Sequence, residues 1–448
     1  MPFTPLRIRW RKFGIFKRNN IQKLPVELLV EIFLCCLPTD RFPDPSRREA
    51  PILLGWVCRV WRSVSLNTPQ LWAQITIRQR KRSYFTSTLA YITEKFDLRG
   101  ILEWLRRSGN SPLSFEIDAH TGPHDGDVNL LTHALRSQAH RWKEVILRSN
   151  CKCIDHISEI LWTPGLTPML TDIRFLTNRP FKNYMPIPCA SQLRSFYLRL
   201  TENLFFSDGR FHTLRELRIG RCRSCQLYPS IFAQFPLLEI LEITSSPWSP
   251  PHGTVTVVHT LQHLHTFIFV DPSEYARLWL LDFFDTPALH SLAVSIWKVG
   301  GRFRERTHLS NFLMRCGGQL KRLQLEGYPV YRDDINGCIR HTPILESLCI
   351  DSMMLTGDLT TLCPTLVQVD ILVTRLGLEG TLIIVDDFLS QWKNSSLKKP
   401  TSTTTIYIIR VPFYELSEVL NHQKMKKSPQ HGFRIALEEE SWWDKRVY

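Results

Sequence analysis

The sequence predicts an α/β repeat protein in which a short helical module precedes an irregular solenoid. The chain has 448 residues, about three times the length of a single domain, which favours a repeat array or several domains. A motif that begins with leucine recurs through the middle of the chain, and its period is typical of repeats in which a strand is followed by a return segment. Apolar residues at helical spacing, bounded by prolines, precede the first copy of this motif.

The composition is that of a folded protein, with 43% apolar and 22% charged residues. No apolar run approaches the ~18 residues of a membrane-spanning helix. The 12 cysteines are too sparse for a disulfide scaffold, so reduced thiols and a cytoplasmic or nuclear location are expected. Residues 1–19 carry basic side chains and no acidic one; we expect a disordered leader, with a transit peptide as the alternative.

The segment from Leu24 to Pro38 predicts a helix of about 13 residues. Pro25 suits the first helical turn because its missing N–H has no partner there, and Pro38 prevents continuation. Glu27 favours the positive helix start. The apolar residues cover more than one stripe of this helix, so it cannot lie alone in water.

A second helix is indicated by apolar residues from Leu53 to Val64, and it ends before Pro69. Ile75 and Ile77 then alternate with polar residues, which predicts the first strand of the next layer. A unit of about 55 residues with helices this apolar cannot bury all of its own apolar surface.

The strings LPVELLVEIF and LLGWVCRVWRSVSLNTPQLW, at residues 24–33 and 53–72, resemble the F-box over residues 20–77. The residue pattern is similar to that of the F-box proteins expanded in mushroom-forming fungi. The resemblance implies a helical module that binds a Skp-type linker and, through it, the cullin of an SCF-type ubiquitin ligase. It assigns linker binding to Leu24, Pro25, Leu28, Ile32, Phe33, Val57, Trp61, Leu71 and Trp72.

The recurring motif is Leu-x-x-apolar-x-apolar. One copy before the others begins with Trp142 in place of leucine. Its period lies in or near the range of leucine-rich repeats, which predicts an irregular leucine-rich-repeat solenoid over residues 142–375. Residues 78–141 are expected to form the linker and the entry to the repeats, and residues 376–448 to form atypical repeats or a cap. The leading leucines are Leu170, Leu193, Leu214, Leu238, Leu264, Leu289, Leu320, Leu345 and Leu366.

Successive side chains of a strand point to opposite faces of the sheet. The residues next to the inward apolar ones therefore point outward, where a partner could bind. From this alternation we predict that substrate binding involves Glu144, Arg148, Arg174, Tyr197, Arg199, Arg218 and Glu242. Five arginines and seven acidic residues occupy such outward positions, although the whole chain carries +14. A near-neutral face fits a protein partner better than a phosphate backbone.

No catalytic, metal or cofactor site is predicted. The P-loop, the G-x-S-x-G elbow and the H-E-x-x-H motif are missing from the sequence. Cys222 and Cys225 have zinc-like C-x-x-C spacing but no second pair. His259, His263 and His265 crowd one repeat without a completing thiol or carboxylate, and surface histidines are the preferred interpretation.

The sequence therefore predicts a non-catalytic substrate-recognition adaptor of a ubiquitin ligase, with an unknown protein substrate. The alternative is a basic nucleic-acid or chromatin-associated repeat protein. Its support is the isoelectric point near 9.3 and the basic cluster from Arg78 to Arg82, which otherwise reads as a solvated linker or a nuclear localisation signal.

Overall fold

The computed structural model describes part of the chain, and contacts divide it into two compact units. The first unit runs to Val145 and includes residues 151–153, and the second comprises Ile146–Asn150 and the chain from Ile154. The described residues are 24–86, 89–119, 125–148, 153–176, 185–186, 190–201, 204–205, 211–222, 229–244, 258–271, 278–296, 306–327, 332–351, 362–372, 406–411 and 433–437.

The first unit begins with helices and continues with strands alternating with helices. Its 3-10 helices are Leu53–Trp56, Pro69–Trp72 and Ala139–Arg141. The helices are α1 (Val26–Cys35), α2 (Arg59–Leu66), α3 (Leu98–Arg107) and α4 (Asp125–Arg136). The strands are β1 (Gln74–Arg78), β2 (Arg80–Thr86), β3 (Leu89–Lys95), β4 (Leu113–Asp118) and β5 (Trp142–Leu147), whose last two residues belong to the second unit.

Aromatic pairs hold the core of the first unit. Strand β1 pairs in parallel with β4, which places the buried Ile75 beside Phe115. The Trp72 and Trp104 rings meet edge-on with 4.8 Å between centroids. The Trp72 indole N–H donates to the Ser65 carbonyl at 2.8 Å. These contacts fix the short helices onto the first strands, because each buried aromatic removes a large apolar area from water.

The second unit is built from parallel strands joined by short helices or irregular segments. Its α-helices are α5 (Cys153–Trp162), whose first residue belongs to the first unit, α6 (Arg306–Cys316) and α7 (Arg332–Ile339), and its 3-10 helices are Pro229–Gln234, Leu278–Phe283 and Gly317–Gln319. Its main sheet has the neighbour order β6, β8, β10, β11, β13, β15, β16, β17, β18, β19, β20. The strands are β6 (Asp172–Phe175), β7 (Met185–Pro186), β8 (Ser195–Thr201), β9 (Leu204–Phe205), β10 (Glu216–Cys222), β11 (Ile240–Thr244), β12 (His259–Thr260), β13 (Thr266–Asp271), β14 (Phe284–Asp285), β15 (Ser291–Ile296), β16 (Arg322–Gly327), β17 (Ser347–Asp351), β18 (Gln368–Leu372), β19 (Ile406–Val411) and β20 (Phe433–Leu437).

The nine predicted leading leucines repeat one local geometry. Each is at most 2% exposed, and each donates its backbone N–H to the carbonyl three residues earlier at 3.0–3.3 Å. The strand that follows pairs in parallel with the next one, with the inward apolar residues in register. The predicted α/β repeat array is confirmed for the described strands.

Some expectations fall on residues that the structure does not describe. The basic leader lies outside the described residues, as does the C-terminal range 376–448 except for β19 and β20. The range 78–141 contains β2 and β3, which pair as an antiparallel hairpin, followed by α3, β4 and α4. Among the described helices, none has the length and apolar composition to cross a membrane.

Candidate functional site

Helix α1 has two apolar faces. Leu29 and Phe33, four residues apart, are buried at 2% and 0% exposure, whereas Leu28 and Ile32 are 51% and 44% exposed. Residues four apart share a helix face. One face therefore packs on the protein and the other remains open to solvent, as the double stripe in the sequence predicts.

The open face of α1 is one part of the exposed apolar surface of the first unit. The next two helices of the first unit, Leu53–Trp56 and α2, also expose large apolar side chains. An exposed apolar surface of this kind is typical of an interaction site. We call this surface the apolar docking face; its residues, each 44–59% exposed, are Val26, Leu28, Ile32, Leu53, Trp56, Val57 and Val60.

Three predicted linker-binding residues lie beneath this face. Phe33, Leu71 and Trp72 are 0%, 0% and 2% exposed. They are therefore buried within the protein and are not accessible to a partner. Trp61 is half-buried against Phe33. The predicted set thus separates into exposed residues, which a partner can touch, and buried ones, which support them.

Leu24 and Pro25 lie at the start of α1, where Leu24 is half-buried and Pro25 is exposed. Pro25 is the N-cap residue, and its carbonyl accepts the Leu29 N–H at 3.2 Å. The missing proline N–H costs nothing at this position, which agrees with the predicted helix start.

A groove adjoins the apolar docking face where α1 ends. It has a volume of about 320 Å³. Leu53 belongs both to the groove and to the docking face, so one partner segment can contact both. The residues lining the groove are Cys36, Leu37, Pro38, Arg48, Glu49, Ala50, Leu53 and Leu54.

The second unit brings four of the predicted substrate-binding residues into one row. Parallel pairing sets Arg174 beside Tyr197, Tyr197 beside Arg218, and Arg218 beside Glu242, on β6, β8, β10 and β11. Neighbouring strands lie about 4.8 Å apart, so these side chains are adjacent. We call this line and its continuation on β13 to β18 the middle row.

Arg218 is held by two carboxylates. Its Nε donates to Glu216 Oε1 at 2.5 Å and its Nη1 to Glu242 Oε2 at 3.0 Å. At 8% exposure the guanidinium is largely removed from water, and the acidic pair neutralises its charge. The three side chains together carry one net negative charge. Arg218 thus serves the protein's own packing, while Arg199, on the same strand as Tyr197, is exposed.

The middle row becomes buried towards its C-terminal strands. Ala293, Gln324, Cys349 and Asp370 are 5%, 8%, 1% and 0% exposed. Within the described strands, the partly exposed members of the row are therefore Arg174, Tyr197, Glu242 and Ile268, while Arg218 between them is buried.

Glu144 and Arg148 flank the end of β5, one in each unit. Glu144 is half-buried on β5, in the first unit. Arg148 follows β5 in the second unit and is exposed.

Other residues singled out in the sequence have defined environments. Arg78 donates to Asp44 Oδ2 at 2.8 Å and lies 3.4 Å from Asp118 Oδ2, so its charge is balanced by carboxylates. His265 lies 2.9 Å from the Thr266 hydroxyl. In the part of the chain that the structure describes, no group of histidine, cysteine and acidic side chains could hold a metal ion.

Sequence reasoning missed four residues of the apolar docking face: Val26, Leu53, Trp56 and Val60. Trp56 is 59% exposed, and the Arg47 guanidinium lies 5.2 Å from its ring centroid. Leu53 and Val60 were used only to predict a helix. The sequence indicates such exposed residues only indirectly, because these helices contain more apolar residues than one buried helix face needs.

Comparison with protein-family models gave no match, and comparison with curated proteins gave none. Among solved structures, the chain is similar to one described as the crystal structure of a TLR13–ssRNA13 complex, at 15% sequence identity and a TM-score of 0.32. The match covers 58% of this chain and 32% of that one, so the chain spans about a third of that protein's length.

Proposed function

We propose that the protein is a substrate-recognition adaptor of an SCF-type ubiquitin ligase. The first unit would bind a Skp-type linker, and through it a cullin, while the repeats hold a protein substrate. The observation that carries the proposal is the apolar docking face, which exposes six large apolar side chains on three consecutive helices and Val57 between the second and the third. Its position matches the segment that resembles an F-box.

The adaptor would act without catalytic residues of its own. It would raise the rate of ubiquitin transfer by holding a lysine-bearing substrate near the conjugating enzyme that the ligase recruits. The open part of the middle row offers Arg174, Tyr197 and Glu242 for this contact. A mixed-charge surface with an aromatic side chain suits a protein partner.

The main support for the alternative, nucleic-acid binding, is the net charge of +14. Phosphate binding needs cations whose charge is available. Arg218 is neutralised by Glu216 and Glu242, and Arg78 is paired with Asp44. The adaptor is therefore the better-supported function.

The test is co-expression with a Skp-type linker, followed by size-exclusion chromatography. Leu28→Lys places a charge on the apolar docking face, and Leu102→Lys is a matched control, because both leucines lie on helices and are 51% and 50% exposed. We expect a complex with the native chain and with Leu102→Lys, and none with Leu28→Lys. Failure of the folded native chain to bind would overturn the proposal.

Salt distinguishes the two functions in the same experiment. An apolar interface survives a change from roughly 0.1 M to 1 M salt, whereas binding to phosphates weakens steeply. A complex that dissociates at high salt would count against an apolar linker interface and favour the nucleic-acid alternative.

A further inference from the structure

The loop between α1 and the Leu53–Trp56 helix covers the outer edge of strand β1. The Thr76 backbone N–H donates to the Pro43 carbonyl at 2.9 Å, and the Thr76 hydroxyl donates to the Phe42 carbonyl at 2.9 Å. On its other edge β1 pairs with β4. The loop thus satisfies an edge that would otherwise leave backbone groups unpaired.

Ion pairs extend this contact along the loop. Asp44 binds Arg78 at 2.8 Å and lies 3.6 Å from Arg41, and Arg41 in turn binds Glu49. Glu49 also accepts the backbone N–H of Asp44. The Asp44 and Glu49 side chains are 26% and 17% exposed, so solvent screens these pairs less than it screens pairs on an open surface.

The same loop leads into the apolar docking face. The Glu49 carbonyl accepts the Leu53 N–H at 2.9 Å. Arg48, Glu49 and Leu53 line the groove beside that face. A continuous set of contacts therefore joins strand β1 to the helix that carries Leu53 and Trp56.

We propose that Arg41, Asp44, Glu49 and Arg78 form a clasp that positions the Leu53–Trp56 helix, and with it Leu53 and Trp56 of the apolar docking face, on strand β1. Arg78 is a positioning residue: it contacts Asp44 and Asp118, and it acts on the Leu53–Trp56 helix through Asp44. The clasp fixes the orientation of a docked partner relative to β1 and β4. This inference concerns the first unit alone, and it stands or falls independently of what the face binds.

The test is hydrogen exchange of the full chain without a partner, followed by mass spectrometry. Arg78→Gln removes the charge that holds Asp44, and Arg78→Lys retains one. Arg106→Gln is the matched control, because Arg106 binds Glu103 through two hydrogen bonds of 2.7 Å within α3, outside residues 41–57. Exchange is compared in residues 41–57, in α1 and in the α3 stretch Ile101–Leu105, in which Ile101, Trp104 and Leu105 are buried.

We expect Arg78→Gln to raise exchange in residues 41–57 about fivefold, the factor that corresponds to a loss of ~1 kcal/mol. Exchange in α1 and at Ile101–Leu105 should stay at the native level. Arg78→Lys should restore most of the protection, and Arg106→Gln should leave the loop unchanged.

Three results would overturn the proposal. Unchanged exchange in residues 41–57 of Arg78→Gln would show that the clasp holds nothing. An equal rise in Arg106→Gln would show a general effect of charge. A rise at Ile101–Leu105 would show that Arg78 serves folding of the unit rather than positioning of the loop.

Discussion

The rings of Phe33 and Trp61 lie against each other, with 4.8 Å between their centroids and 58° between their planes. Phe33 lies on α1 and Trp61 on α2, so this contact joins the two helices beneath the apolar docking face. The α2 start is set by Cys58, whose Sγ accepts the Trp61 backbone N–H at 3.5 Å. The exposed residues of both helices therefore depend for their relative position on the contact between the buried Phe33 and the half-buried Trp61.

Trp61→Ala should destabilise the first unit by about 2 to 3 kcal/mol, somewhat below the loss for a fully buried tryptophan, because Trp61 is only half-buried. Urea unfolding followed by circular dichroism measures this change. A loss below about 0.5 kcal/mol, the usual range for surface substitutions, would contradict the packing role.

Trp56→Ala should behave in the opposite way. Trp56 is 59% exposed and contacts Arg47, so its removal should change the free energy of unfolding by less than about 1 kcal/mol. Binding of the Skp-type linker should weaken at least tenfold if Trp56 is a central anchor of the interface. Titration calorimetry on the folded variant measures the affinity, and native affinity would exclude Trp56 from the contact.

The contribution of Glu49 to stability should disappear in acid. Burial raises the pKa of Glu49, but hydrogen bonds from Arg41 and from the Asp44 N–H outweigh this and hold the pKa below its ordinary value of 4.5. A carboxylate with a lowered pKa stabilises the fold above the unfolded pKa, and loses that contribution as the pH falls through the folded one.

Native protein and Glu49→Gln should therefore differ by a constant free energy of unfolding above the ordinary pKa of 4.5. The difference should shrink as the pH falls below that value. Urea midpoints across this range measure it, and a difference that does not depend on pH would contradict the ion-pair role.

Arg218→Ala should be strongly destabilising, by about 3 kcal/mol, because it leaves the Glu216 and Glu242 carboxylates without their buried cation. Arg199→Ala, on an exposed side chain of the neighbouring strand, should change stability by less than about 0.5 kcal/mol. Thermal unfolding of the two variants provides the comparison. Equal losses would mean that the buried ion pairs contribute nothing specific.

Arg141 is a buried cation that the structure surrounds with neutral acceptors. It is 2% exposed and donates to the Ser111 carbonyl at 2.6 Å, the Ser108 hydroxyl at 2.8 Å and the Gln138 side chain at 2.8 Å. Burial lowers the pKa of Arg141. Its guanidinium thus ties the end of α3 to the segment before β5.

Arg141→Met, which keeps most of the volume, should cost about 1 to 3 kcal/mol, because it leaves buried acceptors without a donor. Arg136→Met, at an arginine on the exposed side of α4, is the control and should be nearly neutral. Chemical unfolding measures both. A neutral Arg141→Met would mean that water replaces the guanidinium.

The repeat array was predictable because its signal is local. A leucine that turns the chain inward, followed by alternating apolar residues, requires only neighbouring residues to form its turn and strand. All nine leading leucines predicted from spacing, from Leu170 to Leu366, are buried and make the same turn. The strand at Ile75 and Ile77 follows from the same alternation.

The sequence could not predict which apolar residues of α1 are exposed, because α1 is apolar on two faces. Leu28 and Leu29 have the same side chain and adjacent positions, yet they are 51% and 2% exposed. Periodicity identifies two stripes, and only the packing of α2 and the Pro69–Trp72 helix decides which one is covered. The hairpin of β2 and β3 was also missed, in a range interpreted as a linker.

The sequence by itself determined the repeat architecture, the positions of the inward leucines, and the surplus of apolar residues in the N-terminal helices. The tertiary structure decided which charges meet. Arg78 lies in a basic run in the sequence, but its partner Asp44 is 34 residues away, and Glu242 reaches Arg218 across 24 residues. Ion pairs depend on the approach of distant segments, and that approach is set by strand register and loop packing rather than by local sequence.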